Sequence, residues 1–282
     1  MKLYQYLIDG ERAVVAEDAG ERFVVAGVAT TLELLTRAGV SAETLVDVVH
    51  LTAKRPVPES GVEGPLIPLE PPEVWAFGVT YETSATDREE DAGSGDFYAR
   101  AHAGPRPETF FKATAARCVG PGEDIGIRGD SKLTAAEPEL AYVVGVGNAV
   151  VAYTLGNDVS AWDLERENPL YLPQSKIYTA CCALGPCLVT ADELEPANVE
   201  ITMSITRGGE VVFEGRANTS LIRHPIEYLH EYLTRYNPLP PGAVALTGTG
   251  IMTPASFTLQ EGDEVIIEAE PFGRLVNTAR RL

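Results

Sequence analysis

Glu137, Glu139 and Asp158 are the residues of this chain whose types and spacing could do chemistry. Glu137 and Glu139 flank Pro138, directly before the apolar run 140–144. That run is rich in β-branched residues and reads as a strand entering a core. Side chains two apart on a strand point to one face, so the two carboxylates stand side by side at its mouth. Two like charges this close resist ionising together unless a cation lies between them. Asp158 follows Asn157 at the end of a second apolar run, 149–155. Residues 145–148 carry a turn signal, so the two runs are expected to pair as a hairpin. That pairing returns Asp158 to the glutamates. Three carboxylates without histidine form an oxygen-ligand set, suited to Mg²⁺, Mn²⁺ or Ca²⁺ rather than Zn²⁺. A lone Glu-x-Glu pair is more often a solvated strand end, and the hairpin placement of Asp158 is what turns the reading towards a metal.

The elements that must position these groups can be read along the chain. Residues 3–8 and 12–15, around Asp9-Gly10, form a predicted hairpin. Residues 31–37 and 41–50 read as helices, capped by Thr30 or Thr31 and by Ser41. His50 then closes the second helix, where a cation is favourable. Six prolines between 56 and 72 mark a boundary. We read 1–70 as a small N-terminal α+β domain and 71–282 as the catalytic domain. The strand 74–80 runs into Tyr81, and the polar stretch 82–98 is a candidate lid, with a solvated helix over 83–91 as the plainer reading. Lys112 ends a short apolar strand. Ser160 with Asp163, and Thr190 with Glu193, fit capping boxes. From residue 200 the pattern is strand and turn, apart from a helix over 225–236. The stretch 240–246 reads as a strand that runs into Thr247-Gly248-Thr249-Gly250, where glycine lets backbone approach a ligand closely. Many short strands and few helices predict a β-rich α+β fold with a rolled or barrel-like core.

Composition bounds the partners. The chain has 282 residues, 45% hydrophobic and 22% charged, enough to bury a full core. Its net charge of −19 argues against nucleic acid and against an anionic membrane surface. An anionic substrate would need a local cation, either a metal or one of the few lysines: Lys2, Lys54, Lys112, Lys132 and Lys176. No stretch reaches the length of a membrane span and the start lacks a secretory pattern, so a cytoplasmic enzyme is expected. Cys118, Cys181, Cys182 and Cys187 lack C-x-x-C spacing and read as buried thiols.

Taken together, residues 73–282 resemble the fumarylacetoacetate hydrolase family. The resemblance rests on nine stretches in the family's order, among them Gly78-Val-Thr-Tyr81, Phe110-Phe-Lys112, Glu137-Pro-Glu139-Leu, Gly156-Asn-Asp158-Val-Ser160, Gln174-Ser-Lys176 and Thr247-Gly-Thr249. It implies that family's mixed-sheet roll, usually a homodimer or homotetramer. It also implies a Mg²⁺ or Mn²⁺ site on Glu137, Glu139 and Asp158, with Lys176 and Thr249 facing the substrate. Hydrolases of the family carry a water-activating histidine where this chain has Ser84, and an arginine and a glutamine where it has Trp162 and Glu165. Within the family the chain is most similar to the 2-keto-3-deoxy-pentonate dehydratases, of the D-arabinonate and D-xylonate type. The stretches that carry this are 78–84, 167–174 and 246–251.

The expected reaction is therefore dehydration of a 2-keto-3-deoxy sugar acid. The cation would act as a Lewis acid towards the 2-oxo acid and stabilise the enolate left when a C3 proton departs. A general base must reach C3. The candidates are Lys176, if nearby positive charge favours its neutral form, and the carboxylates Glu82 and Glu90. Tyr81, Ser84, Lys112, Gly248 and Thr249 complete the expected catalytic and substrate-binding set. The alternative is other chemistry on a 2-oxo acid or acylpyruvate: carbon–carbon hydrolysis, decarboxylation or isomerisation. A Schiff base on Lys112 or Lys176 is disfavoured by the three metal-type carboxylates.

Overall fold

The structure is a computed structural model that describes residues 1–84 and 97–282. Most of the expected lid, including Glu90, lies outside the described residues. The expected hairpin at the start forms between Lys2–Ile8 and Glu11–Asp18, and its turn places Asp9 and Gly10 at positive φ. Among the described residues, twelve strands form one mixed sheet. Lys2–Ile8 pairs antiparallel with Cys182–Thr190, so the N-terminal strands extend the same sheet that carries the carboxylates. From that junction the sheet continues through Val150–Asp158, Pro138–Val144 and Val244–Leu246 to Val74–Gly78 and Glu108–Ala113. The carboxylate hairpin is thus central.

Its burial explains its sequence. Pro138–Val144 and Cys182–Thr190 are buried at every position, which is why they read as continuous apolar runs rather than alternating ones. Alternate residues serve two cores. Leu140, Tyr142 and Val144 pack with Ile201, Met203, Ile205, Val265 and Ile267 of a second sheet of five strands. Ala141 and Val143 pack with Leu34, Leu35, Leu45 and Val49 of the helices Thr31–Ala38 and Ala42–Leu51. The fold is β-rich α+β with the long sheet sandwiched between helices and a smaller sheet.

The helix starts behave as their sequences dictate in two cases and not in two others. Thr30 and Ser41 accept the backbone N–H groups of Glu33 and Thr44, each at 3.1 Å. His50 lies in the last turn of its helix and meets Asp18 at 2.8 Å. Ser160 and Asp163 do not form a capping box. The helix Trp162–Glu167 starts after Ala161, and Asp163 accepts from Ser131 Oγ and the Lys132 N–H instead. Thr190 spends its hydroxyl on the N-terminus of Met1, which the neighbouring strand lays beside it. In both cases a tertiary partner outcompeted a local one.

Candidate active site

The hairpin register builds the site. Pro138 pairs with Asn157 and Glu139 with Gly156, so Asp158 stands across from Glu137. Gly156 carries no side chain opposite Glu139 because a Cβ there would meet Leu246 Cδ2 at 2.4 Å. Glu137, Glu139 and Asp158 are all buried, and one oxygen of each lies within 4.8 Å of the others. Three converging buried carboxylates are a strong cation-attracting arrangement. The donor set is oxygen-only and fits a hard divalent cation such as Mg²⁺ or Mn²⁺.

Each carboxylate has its own fixed donors. The backbone N–H of Gly248 donates to Glu139 Oε2 at 2.5 Å. Gly248 adopts φ +91° and has no room for a side chain, because a Cβ would strike Thr80 Oγ. The Trp162 indole N–H donates to Glu137 Oε1 at 2.5 Å, and the Glu137 backbone N–H donates to Asn157 Oδ1 at 3.0 Å. The Lys176 ammonium donates to both oxygens of Glu137 at 3.1 Å, to Asp158 Oδ2 at 2.9 Å and to Ser160 Oγ at 2.7 Å. Lys112 meets Asp158 Oδ1 at 2.5 Å and donates to the carbonyls of Val159 and Lys176.

The electrostatics follow from this geometry. Burial, reinforced by the charges of Asp158 and Glu137, holds the Glu139 carboxyl well above the usual carboxylate range. Burial also works to raise Asp158, but the two lysine ammonium groups outweigh it and bring it down to about 2. Burial opposes the charge on Lys112, and the contact with Asp158 more than offsets it, so the group is held above its ordinary range. Cys181 and Cys182 are pushed up, by burial at Cys181 and by the Cys118 contact and burial at Cys182, which suits inert thiols.

A pocket opens over the triad. Its walls include Ser84, Glu108, Phe110, Leu172, Lys176, Gly248 and Thr249 alongside Glu137 and Asp158. Ser84, Lys176, Gly248 and Thr249 are thereby gathered as the sequence suggested. Ser84 donates to the Tyr81 carbonyl at 2.8 Å. Tyr81 itself is buried, with its ring against Gly250, and burial raises its phenol. Neither Tyr81 nor Lys112 lines the pocket, and Lys112 stands behind Asp158 with its contacts made to protein atoms. Glu82 is exposed and is not among the lining residues.

Three residues of the site escaped the sequence reading. Glu108 shares the two-residue period of its strand with Phe110 and Lys112, and that parity was the available signal. Ser160, read as a cap, is a buried acceptor for Lys176. Trp162, read only as a lost arginine, still supplies a donor to Glu137.

The comparisons with known proteins agree with this arrangement. The family model described as fumarylacetoacetate (FAA) hydrolase C-terminal matches residues 73–280. The Haloferax volcanii protein named "Probable 2-keto-3-deoxyxylonate dehydratase" is 41% identical, over 99% of each chain. The 2-dehydro-3-deoxy-D-arabinonate dehydratase of Saccharolobus solfataricus is 45% identical over 76% of this chain and 74% of its own. A solved structure of 2-keto-3-deoxy-D-arabinonate dehydratase complexed with magnesium and 2,5-dioxopentanoate superimposes with a TM-score of 0.87. It is 36% identical and covers 100% of this chain and 99% of that one. This chain belongs to the fumarylacetoacetate hydrolase family.

Proposed function

We propose that the protein is a metal-dependent dehydratase that converts a 2-keto-3-deoxy-pentonate to 2,5-dioxopentanoate. The observation that carries this reading is the buried cluster of Glu137, Glu139 and Asp158. It sits in a chain that matches, end to end, a dehydratase solved with magnesium and that dioxo acid. The proposal includes a cytoplasmic location and a homodimer or homotetramer. No helix among the described residues is long and apolar enough to cross a membrane.

Glu137, Glu139 and Asp158 would hold Mg²⁺ or Mn²⁺. When bound, the cation supplies Lewis acidity to the carboxylate and 2-oxo group of the substrate. The chain's own residues do the rest. Thr249 and the backbone beside Gly248 bind the substrate carboxylate end, because both line the pocket next to the triad. Glu108 is the only lining carboxylate, among the described residues, outside the cation triad. It takes the C3 proton, made acidic by the neighbouring 2-oxo group. Lys176 is poorly placed to be that base, because its hydrogen bonds to Glu137 and Asp158 favour the ammonium. As an ammonium it is the proton donor for the departing C4 hydroxyl. The hydroxyl of Ser84 already donates to Tyr81, so its oxygen accepts from a substrate hydroxyl. Loss of the C3 proton and the C4 hydroxide forms the C3–C4 double bond and releases water, and tautomerisation gives the 2,5-dioxo acid. Lys112 takes no part in bond making and holds Asp158 and the Lys176 backbone in place.

The deciding experiment is turnover of a small panel with Mg²⁺, with and without EDTA. The panel contains 2-keto-3-deoxy-xylonate, 2-keto-3-deoxy-arabinonate, acetylpyruvate and oxaloacetate. EDTA-sensitive release of 2,5-dioxopentanoate from a deoxy-pentonate is the expected result. Cleavage of acetylpyruvate or loss of CO₂ from oxaloacetate, with no dehydration, would overturn it.

A further inference from the structure

We infer that Trp162 is a positioning residue that sets the Glu137 carboxylate for the divalent cation; this rests on the metal-dependent reading above. Trp162 is 4% exposed and opens the helix that follows Asp158 by four residues. Its backbone N–H is tied to the Leu133 carbonyl at 2.9 Å. Its indole N–H reaches back across the hairpin to Glu137 Oε1 at 2.5 Å, and the Arg166 guanidinium lies over its ring at 5.3 Å from the centroid. Backbone, ring face and ring nitrogen are therefore each engaged.

The chemistry of the donor matters as much as its position. Glu137 already accepts from the Lys176 ammonium on both oxygens. A second cation there would drain the negative charge that attracts a metal. The indole N–H is a neutral donor with no acceptor capacity, so it orients the carboxylate without adding a positive charge. Partners that orient metal-binding carboxylates in this way are worth about 10–100-fold in metal affinity. Trp162 does not line the pocket. It acts on the reaction through Glu137.

The test compares the intact protein with Trp162→Phe and Trp162→His, with Mn²⁺ and Mg²⁺ affinities measured by calorimetry. Phenylalanine keeps an aromatic ring over Arg166 and removes the N–H. Histidine, with its ring turned, places Nε2 where the indole nitrogen stands. The expected result is a metal Kd raised about 10–100-fold by phenylalanine and restored most of the way by histidine. A merely structural role would lower Tm in both variants and would give no rescue. A phenylalanine variant that binds metal within about twofold of the parent would overturn the inference. Folding of that variant need not be assumed. In the Trp75→Phe protein Trp162 is the single indole, and its emission should fall on Mn²⁺ titration with the calorimetric midpoint. Emission indifferent to saturating Mn²⁺ would overturn the inference equally. A parent protein that binds neither cation would instead bring down the metal reading itself.

Discussion

The Lys112 ammonium donates to the backbone carbonyl of Lys176 at 2.6 Å, so one buried lysine fixes the main chain that carries the other. The same ammonium lies 2.5 Å from Asp158 Oδ1, while Lys176 holds Oδ2 at 2.9 Å. Asp158 is thus clamped between two cations in a site where all three side chains are almost wholly buried. Removing one partner of such a pair leaves an uncompensated buried charge, which costs about 3–5 kcal/mol. Lys112→Met should therefore lower unfolding stability by that amount in urea titration. Lys112→Arg keeps the charge and should rescue it only in part, because the larger guanidinium must enter a fully packed position, at about 1–3 kcal/mol. A methionine variant as stable as the parent would show that the clamp is dispensable.

Lys176 has a different duty. Its ammonium touches Glu137, Asp158 and Ser160 and also lines the pocket. Lys176→Ala removes the proton donor proposed for the leaving hydroxyl and a positive charge beside the triad. Turnover should fall by about 10²–10⁴-fold, while stoichiometric Mg²⁺ binding persists on the three carboxylates. The check pairs steady-state rates with calorimetry on one preparation. Near-normal rates would exclude Lys176 as an essential group.

What the sequence made legible divides along physical lines. The carboxylate hairpin was readable because a β-strand's period and a short turn fix which residues meet, and Glu137, Glu139 and Asp158 do meet. The family motifs extended that to Lys176, Gly248 and Thr249 in the pocket wall. The misreadings share one cause. Ser160 and Asp163, three residues apart, look like a cap, yet each finds a partner outside its own helix start, Lys176 for Ser160 and Ser131 for Asp163. Lys112, at the end of a short apolar strand and within a family motif, was expected to bind substrate. Only the folded chain, which brings Asp158 and the carbonyls of Val159 and Lys176 around its ammonium, shows that it is fully buried. Long-range partners of this kind leave no local periodicity to read.

Ser84 offers a test of how much one residue decides the chemistry. It is buried beside the pocket and donates to the Tyr81 carbonyl. Ser84→Ala should cost about 1 kcal/mol of stability through that lost bond and raise KM more than it lowers kcat, if its oxygen serves a substrate hydroxyl. Ser84→His should not create strong acylpyruvate hydrolysis. Trp162 and Glu165 are still in place, and Trp162 is committed to Glu137. Efficient acetylpyruvate cleavage by this variant would mean that the serine alone separates the two chemistries.

Glu139 ties the site to pH. Its carboxyl is held well above its ordinary value of 4.5 by burial and by Asp158 and Glu137. In the unfolded chain the group is ionised above that value. In the metal-free fold it keeps its proton to higher pH. The native state therefore binds the extra proton, and stability falls as pH rises from about 4.5 through the raised value, by up to about 1.4 kcal/mol per pH unit. Asp158 adds nothing to that window, since it is lowered to about 2 and its contribution is lost only in stronger acid. Glu139→Gln should remove this slope from the metal-free protein while its amide oxygen keeps the Gly248 N–H bond. Unfolding curves in EDTA between pH 4.5 and 8 would record it. The same substitution should abolish stoichiometric divalent binding. In the parent, the cation must displace the Glu139 proton, so metal affinity rises with pH by up to about tenfold per unit across the same interval. Retained binding in the glutamine variant would refute the three-carboxylate site. A metal-free parent whose stability ignores pH would show that Glu139 is ionised as an ordinary carboxylate, with Lys176 close enough to neutralise it.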